Sequence, residues 1–203
     1  MPRTQEQNQV IKDKRRGKLL ATALKVFAAE GYDDVTIDSI TKASKCSHGL
    51  FYHYFPAKPD VFRALLSENI MHSGALPPLK AALKARGVKG LAVLRDYLNK
   101  IDGASISDVY VAKIACFLID EESLPKEFVA FAEENNLRGV FETLIRQGQE
   151  TGEVIAGDPA EISLAIIDLL EAAFARRLEH GAKAKLVSAD IIFGMLLRGA
   201  VRE

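Results

Sequence analysis

The sequence has no run that approaches about 18 consecutive apolar residues, so no part of it is predicted to span a membrane as a helix. The polar, basic N-terminus is not followed by a hydrophobic stretch, which does not fit a secretory signal peptide. Cysteine is scarce as well: Cys46 and Cys116 stand alone and are too far apart for a metal-binding spacing. We therefore expect a cytoplasmic protein with two reduced thiols, no metal and no cofactor; a redox pair is the alternative.

The sequence also lacks a net charge, with 27 Lys and Arg residues against 27 Asp and Glu residues. The charges are nevertheless unevenly placed. Residues 1–60 hold ten basic residues against seven acidic ones, whereas the remaining residues hold seventeen against twenty. A basic N-terminal part followed by an acidic remainder is the pattern expected when one end of a protein binds duplex DNA and the rest does something else.

Residues 36–58 are the most informative stretch, because they predict two short helices joined by a tight turn. Thr36 has a hydroxyl that can cap the first helix. Ile37, Ile40 and Ala43 follow at three-residue spacing and predict a narrow apolar stripe on that helix. The first helix of the pair is therefore expected to pack with this stripe against a core.

The second helix of the pair is predicted to follow a turn at residues 44–46, with Ser47 as its cap. Phe51 and Phe55 are spaced to point inward. The face of this helix that is not expected to pack against a core carries Gly49, Tyr52 and His53. A compact helix-turn-helix places the N-terminal half of its second helix in a major groove of DNA.

The residue pattern over this stretch is Thr36-Ile-x-x-Ile, then Ala43, then Ser47-x-Gly49-x-x-Tyr52-His53-Tyr54-Phe55-x-x-Lys58. It resembles the DNA-binding signature of the TetR family of transcriptional regulators. An upstream helix ending in Phe27-Ala-x-x-Gly31-Tyr32 and the chain length fit the same family. Beyond roughly the first 65 residues, only the order of helices agrees.

Three positions depart from the family pattern. Lys45 stands at a turn position where the family usually has Gly, and a left-handed conformation there costs a non-Gly residue about 1–2 kcal/mol. Thr41 stands where a small Ala normally lets the two helices approach, and Leu50 replaces a small or hydroxylic residue on the second helix. These departures affect the expected groove contacts but not the helix-turn-helix itself.

The resemblance implies an all-α fold of about nine or ten helices. A three-helix DNA-binding head with a basic N-terminal arm is expected over residues 1–56, and a helical body for effector binding and dimerisation over residues 57–203. Residues 1–9 are expected to be disordered without DNA. The residues expected to contact bases or phosphates are Lys14, Arg15, Arg16, Thr36, Lys45, Ser47, His48, Gly49, Tyr52, His53 and Lys58. A cation in the first turn of a helix, as at Lys58, is better explained by a phosphate than by stability.

The body is predicted to be helical to its end. The Pro77-Pro78 pair and the segment around Gly87 and Gly90 are expected to break the chain. We predict helices over about 79–85, 89–102, 107–121, 126–150, 158–180 and 186–200. The clearest start is Asp158-Pro159-Ala160-Glu161, with Asp as the cap, Pro at the first position and Glu at the third.

The last two predicted helices are apolar around nearly their whole circumference, so they must be buried on all sides. We expect them to pair with the same helices of a second copy about a two-fold axis, an arrangement that the resemblance also implies. The alternative is that both are central core helices of one chain. The residues expected at the dimer interface are Ile166, Leu169, Leu170, Ala173, Ile192, Met195 and Leu196.

The resemblance further implies a small-molecule effector site in the body, and the tilt of the helix that begins near residue 57 is the candidate switch. The aromatic and apolar residues expected to line this site are Phe62, Leu66, Tyr97, Tyr110, Phe117, Phe131 and Phe141. The leading function is a homodimeric repressor that leaves a pseudo-palindromic DNA operator when the effector binds. The alternatives are an activator, or a regulator controlled by a protein partner without an effector. An enzyme is disfavoured because no titratable groups converge in an apolar site.

Overall fold

The computed structural model describes residues 5–71, 76–102, 106–117, 124–135, 137–181, 184 and 187–198. Within those residues the chain forms eleven α-helices and one π-helical segment, which confirms the all-α fold. The chain divides into two compact units, Met1–Glu68 and Asn69–Glu203. The boundary therefore falls after the fourth helix, whereas the sequence analysis set it before that helix.

The first unit contains four helices. They are α1 (Gln5–Glu30), α2 (Ile37–Ser44), α3 (His48–Tyr54) and α4 (Lys58–Leu65), and the π-helical segment Leu66–Met71 follows α4. Helix α1 begins at Gln5, so the expected disorder of residues 5–9 is wrong; residues 1–4 lie outside the described residues.

The core of the first unit is aromatic. The ring of Phe27 from α1 lies 4.8 Å from that of Phe62 on α4, and Tyr32 from the following loop stacks 5.9 Å from Phe27. Phe51 and Phe55 are buried as predicted. Aromatic pairs at such distances stabilise a core beyond the area that they bury, so this cluster joins α1 to α4 firmly.

The apolar stripe predicted on α2 is partly wrong. Ile40 is fully buried, but Ala43 is exposed, and the buried neighbours of Ile40 are Thr41 and Ser44. The reason is geometric: a three-residue spacing drifts by about 60° per step around an α-helix. Ala43 is thereby carried off the face on which Ile40, Thr41 and Ser44 lie together.

The second unit contains seven helices among its described residues. They are α5 (Leu76–Ala85), α6 (Gly87–Asp102), α7 (Ile106–Phe117), α8 (Lys126–Asn135), α9 (Leu137–Glu150), α10 (Pro159–His180) and α11 (Ala189–Gly194). The predicted start of α10 is confirmed, because Asp158 caps it by accepting a hydrogen bond from the Ala160 amide at 3.0 Å. None of the described helices is long and apolar enough to cross a bilayer.

Two boundaries in this unit differ from the prediction. Pro77 and Pro78 do not break the chain but lie in the first turn of α5, where the amide that proline lacks has no helical partner anyway. The predicted helix over 126–150 corresponds to α8 and α9, and residue 136 between them lies outside the described residues. Helix α11 ends at Gly194 instead of running to residue 200, because Leu197 pairs with Val154 in an antiparallel bridge.

Glycine allows the helices of the second unit to pack closely. A Cβ atom at Gly90 of α6 would lie 2.5 Å from the carbonyl oxygen of Ala82 on α5 and would overlap a methyl group of Leu144 on α9. The sequence analysis placed a break beside Gly87 and Gly90 and a helix from about residue 89, and the structure has Gly90 inside α6 with the break at Arg86. Its missing side chain is required by packing and not by a turn.

Candidate functional site

The turn between α2 and α3 is closed by caps on both sides. Thr36 accepts a hydrogen bond from the Ser39 amide at 3.1 Å and Ser39 accepts one from the Thr36 amide at 3.2 Å, which forms a capping box at the start of α2. Ser47 caps α3 by accepting from the Leu50 amide at 3.2 Å. Both predicted caps are confirmed, and α2 and α3 form a helix-turn-helix.

Lys45 ends α2 in the left-handed conformation, at φ 55° and ψ 44°. Its amide donates to the carbonyl of Lys42 at 3.2 Å, and the amide of Cys46 donates to the carbonyl of Thr41 at 3.0 Å. These bonds satisfy the last carbonyl groups of α2, as in the usual left-handed helix ending. Lys45 thus adopts the left-handed conformation that the sequence analysis expected to be strained for a non-Gly residue.

The face of α3 that the sequence analysis predicted to lie outside the core is exposed to solvent. His48, Gly49, Tyr52 and His53 are all exposed, and Tyr52 keeps 51% of its surface accessible, whereas Phe51 is fully buried. A Cβ atom at Gly49 would meet nothing nearer than the Ser47 hydroxyl at 4.0 Å. No contact with another described residue therefore requires glycine at this position.

Asp38 on α2 organises the polar side chains beside this face, and the sequence analysis missed it. Its carboxylate lies 2.6 Å from the Lys42 Nζ and 3.4 Å from the Nε2 atom of His48. The hydrogen bond from Lys42, followed by that from His48, holds the pKa of Asp38 below its ordinary value against the opposing effect of desolvation. The i, i+4 spacing of Asp38 and Lys42 was a visible signal in the sequence.

The basic residues at the start of α1 fall into two groups. Lys14 and Arg15 are exposed and available to a partner. Arg16 is half-buried: its Nη2 atom lies 2.6 Å from a Glu68 oxygen and its guanidinium lies 5.2 Å from the centre of the Phe55 ring. Arg16 thus has structural partners inside the first unit.

Lys58 also has partners inside the first unit. Its ammonium donates to the carbonyl oxygens of Tyr32 at 2.8 Å and Asp33 at 3.3 Å, and it lies 4.4 Å from the centre of the Tyr32 ring. The sequence analysis explained a cation in the first turn of α4 by a phosphate. The structure supplies a second explanation, since this ammonium ties α4 to the loop after α1.

A cavity lies within the second unit. The residues that line it are Pro78, Leu79, Leu94, Tyr97, Leu98, Ile101, Val111, Ala112, Ala115, Cys116, Phe141, Leu170 and Phe174. Of the residues expected at an effector site, Tyr97 and Phe141 are in this lining. Tyr110 and Phe131 are half-buried and are not part of the lining. Phe62 and Leu66 are buried and belong to the first unit, and the Phe117 side chain lies outside the described residues.

The two polar side chains of the cavity lining are neutral at physiological pH. Burial, and then the charge of Asp108, raise the pKa of the Tyr97 hydroxyl above its ordinary value. Burial and the nearby Glu171 carboxylate raise the pKa of the Cys116 thiol to about 12, against a smaller lowering effect of Lys113. Lys113 and Glu171 form an ion pair between α7 and α10. The cavity is therefore a nearly uncharged site.

The residues expected at a dimer interface do not share one surface. Ile166, Leu170, Ala173, Ile192 and Leu196 are buried within the chain itself, because α10 and α11 pack on neighbouring helices of the second unit. The exposed large apolar side chains of these two elements are Leu164 and Leu169 on α10, and Ile191 and Met195 at α11. We call these four residues the outer apolar face because all four are exposed, although Leu164 and Leu169 lie about 140° apart around α10.

Comparison with known proteins identifies the class of this fold. Residues 19–65 match the family model described as bacterial regulatory proteins, tetR family. Over 49 residues, or 24% of this chain, the protein is 41% identical to an uncharacterised helix-turn-helix transcriptional regulator of Bacillus subtilis, YuxN. Over 63 residues, or 31% of this chain, it is 32% identical to the transcriptional activator FasR of Mycolicibacterium smegmatis. These matches span 17% and 29% of the two relatives.

Solved structures extend the likeness of fold to most of the chain. The MbdR regulator from Azoarcus sp. CIB superposes with a TM-score of 0.65 over 91% of this chain and 98% of its own, at 20% identity. The regulatory protein TetR from Rhodobacter sphaeroides superposes with a TM-score of 0.59 over 90% and 98%, at 24% identity. Residues 19–65, which contain the helix-turn-helix, therefore resemble the tetR family of bacterial regulatory proteins, and most of the chain shares its fold with these solved structures.

Proposed function

We propose that this protein is a sequence-specific DNA-binding transcriptional regulator that acts in the cytoplasm as a homodimer. The observation that carries the proposal is the exposed face of α3, where Tyr52 and His53 stand clear of the core at the second helix of a capped helix-turn-helix. Side chains in that position of such a motif enter the major groove. Their rings contact those of their chain neighbours, Tyr52 with Phe51 at 5.6 Å and His53 with Tyr54 at 4.9 Å, but both side chains stay exposed.

The contacts divide into two kinds. Ser47, His48, Tyr52 and His53 face the bases or the adjoining phosphates, and Gly49 lets the backbone come close to the duplex. Lys14 and Arg15, together with Thr36 and Lys45, contact phosphate oxygens, which fix position without reading sequence. Arg16 and Lys58 keep their internal partners and contribute to DNA binding mainly by holding α1 and α4 in place.

Two experiments separate these roles. Selection from a random pool of duplexes identifies the preferred site, and the affinity for it is then measured as a function of salt concentration. Arg15→Ala should weaken binding to all sequences alike and reduce the slope of log K against log salt by about 0.9. His53→Ala should change the preferred bases. Lys84→Ala, on an exposed site of the second unit, is the control and should do neither.

A dimer is part of the proposal because two heads must occupy successive half-sites of a pseudo-palindrome, about 34 Å apart. The outer apolar face supports it, since four large apolar side chains exposed on neighbouring elements are suited to burial against a second copy. A protein that shows no preference for any duplex over bulk competitor at moderate salt would contradict the whole proposal.

We further propose that a small molecule in the cavity controls DNA binding, as in a repressor released from its operator. Helix α10 supports this route, because Leu170 and Phe174 line the cavity while Leu169 of the same helix belongs to the outer apolar face. A ligand that favours one position of α10 would thereby change how two copies, and their heads, are spaced. A hundredfold change in DNA affinity requires about 2.7 kcal/mol of coupling.

Activation is the second candidate for the direction of regulation, because the relative FasR is named an activator. The two directions differ in a reporter assay. A repressor lowers transcription from a promoter that carries the selected site, and an activator raises it. Reporter transcription is compared between cells that express the parent protein and cells that express the His53→Ala variant. The direction of the difference distinguishes repression from activation.

A further inference from the structure

The cavity of the second unit has a lining that restricts what can bind there. Among the thirteen lining side chains that the structure describes, the Tyr97 hydroxyl and the Cys116 thiol carry the polar atoms, and the rest are aliphatic or aromatic. Neither polar group is charged at neutral pH, since the pKa of each is raised. The described part of the lining therefore offers no counter-charge to a ligand.

The nearest charges do not alter this conclusion. Asp108, whose charge raises the pKa of Tyr97, is exposed and is not among the described lining residues. Lys113 and Glu171 pair with each other between α7 and α10, so their charges offset one another. They act on the pKa of Cys116 in opposite directions, as a paired cation and anion should. A ligand carboxylate, phosphate or ammonium would lose its water on entering and would find no partner of opposite charge, which is unfavourable.

The aromatic rings of the cavity raise the question of a cationic ligand. Tyr97, Phe141 and Phe174 present ring surfaces that can attract a cation. That attraction is weaker than the loss of hydration of a buried charge, and Phe141 and Phe174 are themselves almost fully buried. The same rings bind an apolar body without any such loss.

We propose that the cavity binds an uncharged, mainly apolar small molecule that carries one hydrogen-bonding group directed at the Tyr97 hydroxyl. Tyr97 is the polar group suited to this task, since its ring is half-buried in the lining and its hydroxyl both donates and accepts. Such a pocket, apolar with a single polar contact, fixes the orientation of its ligand through that contact. This inference deepens the proposed function and rests on it for the consequence of binding.

The test uses three probes with the same octyl chain and different head groups: 1-octanol, octanoate and octyltrimethylammonium. The melting temperature of the full-length protein is measured with each probe below its micelle concentration. We expect octanol to raise Tm by about 3–6 °C at ten times its Kd, and the two charged probes to leave Tm unchanged. A larger shift with either charged probe, equal shifts with all three, or no shift with any of them overturns the inference.

Variants locate the binding. Tyr97→Phe should raise the Kd of octanol about fivefold through loss of one hydrogen bond, whereas Tyr110→Phe, on α7 but outside the lining, should leave it unchanged. Ala115→Phe should fill the cavity and abolish the octanol shift, with Ala81→Phe on the exposed side of α5 as its control. If Tyr97→Phe and Tyr110→Phe behave alike, the assignment to Tyr97 is overturned, even where the filled variant does not fold.

The two proposals fail in different ways. Octanol binding with the expected variant pattern but without any effect on operator affinity supports the ligand class and removes the effector from the proposed function. Selected operator binding together with a response to a charged octyl probe alone leaves DNA binding intact and overturns the ligand class. The thermal measurement needs no DNA, so its result does not depend on the helix-turn-helix.

Discussion

At the scale of single residues, the first unit contains one residue with a strained backbone conformation and one whose side chain stabilises a loop. Lys45 is held in the left-handed region because the amides of the turn close α2. Lys58 stabilises the unit, since its ammonium donates hydrogen bonds to two carbonyl groups of the loop that follows α1. Each residue can be tested by a substitution whose effect on the free energy of unfolding has a definite sign.

Lys45→Gly should raise the free energy of unfolding by about 1 kcal/mol. Glycine adopts a positive φ without the clash that Lys45 suffers, although its more flexible unfolded chain offsets part of the gain. Urea denaturation followed by circular dichroism measures the change. Lys45→Ala is the control, because it removes the same side chain but keeps the Cβ atom and therefore the strain. A Gly variant no more stable than the Ala variant would show that the turn is not strained.

Lys58→Met should lower the free energy of unfolding by about 1–2 kcal/mol, because it removes a charged donor from two carbonyl groups and a cation from the Tyr32 ring. Lys42→Met, at an exposed position of α2, should change it far less, since an exposed ion pair contributes little. The same denaturation experiment compares the two. If the two variants were equally stable and only Lys58→Met lost DNA binding, Lys58 would be a phosphate contact and not a stabilising residue.

At the scale of elements, the helices are determined by close packing as much as by their own sequences. Helix α6 runs through Gly90 although glycine weakens a helix, because α5 and α9 approach too closely for any side chain there. Helix α11 stops at Gly194 although the sequence continues apolar, because the following residues pair with residues 153–155 through two backbone hydrogen bonds. Tertiary neighbours decide both outcomes.

Two glycine substitutions should have opposite effects on stability. Gly90→Ala should destabilise the protein by about 1–3 kcal/mol, because the new methyl group overlaps Leu144 and the carbonyl of Ala82. Gly17→Ala, inside α1 with nothing within 4 Å of the added atom, should stabilise by about 0.5–1 kcal/mol. Thermal unfolding of both variants beside the parent protein measures this. The packing argument fails if Gly90→Ala is neutral.

At the scale of the whole molecule, the proposed function depends on a second copy of the chain. One helix-turn-helix gives one half-site contact, and a palindromic site requires two at a fixed spacing. The outer apolar face is the surface proposed to supply that spacing, with Leu169 from α10 and Ile191 from α11 among its members. The buried apolar residues of the same helices form the core of the single chain instead.

The double variant Leu169→Glu and Ile191→Glu should be monomeric at micromolar concentration and should lose most of its affinity for a palindromic site, because two charges would be buried without partners. Sedimentation measures the first effect and a binding titration the second. Leu83→Glu is the control, since Leu83 is about as exposed as Leu169 but lies on a different helix, α5. A double variant that stays dimeric would place the interface elsewhere.

The sequence alone was sufficient for the helix-turn-helix and for the start of α10. Capping residues, the inward spacing of Phe51 and Phe55 and the Asp158-Pro159 pair act within a few residues of where they stand, so local chemistry predicts their structure. The two polar residues of the described cavity lining, Tyr97 and Cys116, are 19 positions apart in the sequence. The packing of α6 and α7 brings them to the same cavity. Which face of α10 is buried likewise depends on neighbours distant in the chain.

The tertiary structure therefore decided how the charged and apolar residues are used. It gave Arg16 and Lys58 internal partners, set Asp38 beside His48, and divided the apolar residues of α10 between the core, the cavity and the solvent-exposed face. A side chain's sequence position fixes its chemistry and its local conformation. Its partners are fixed only when distant segments pack, because burial and charge pairing depend on distances that no local pattern contains.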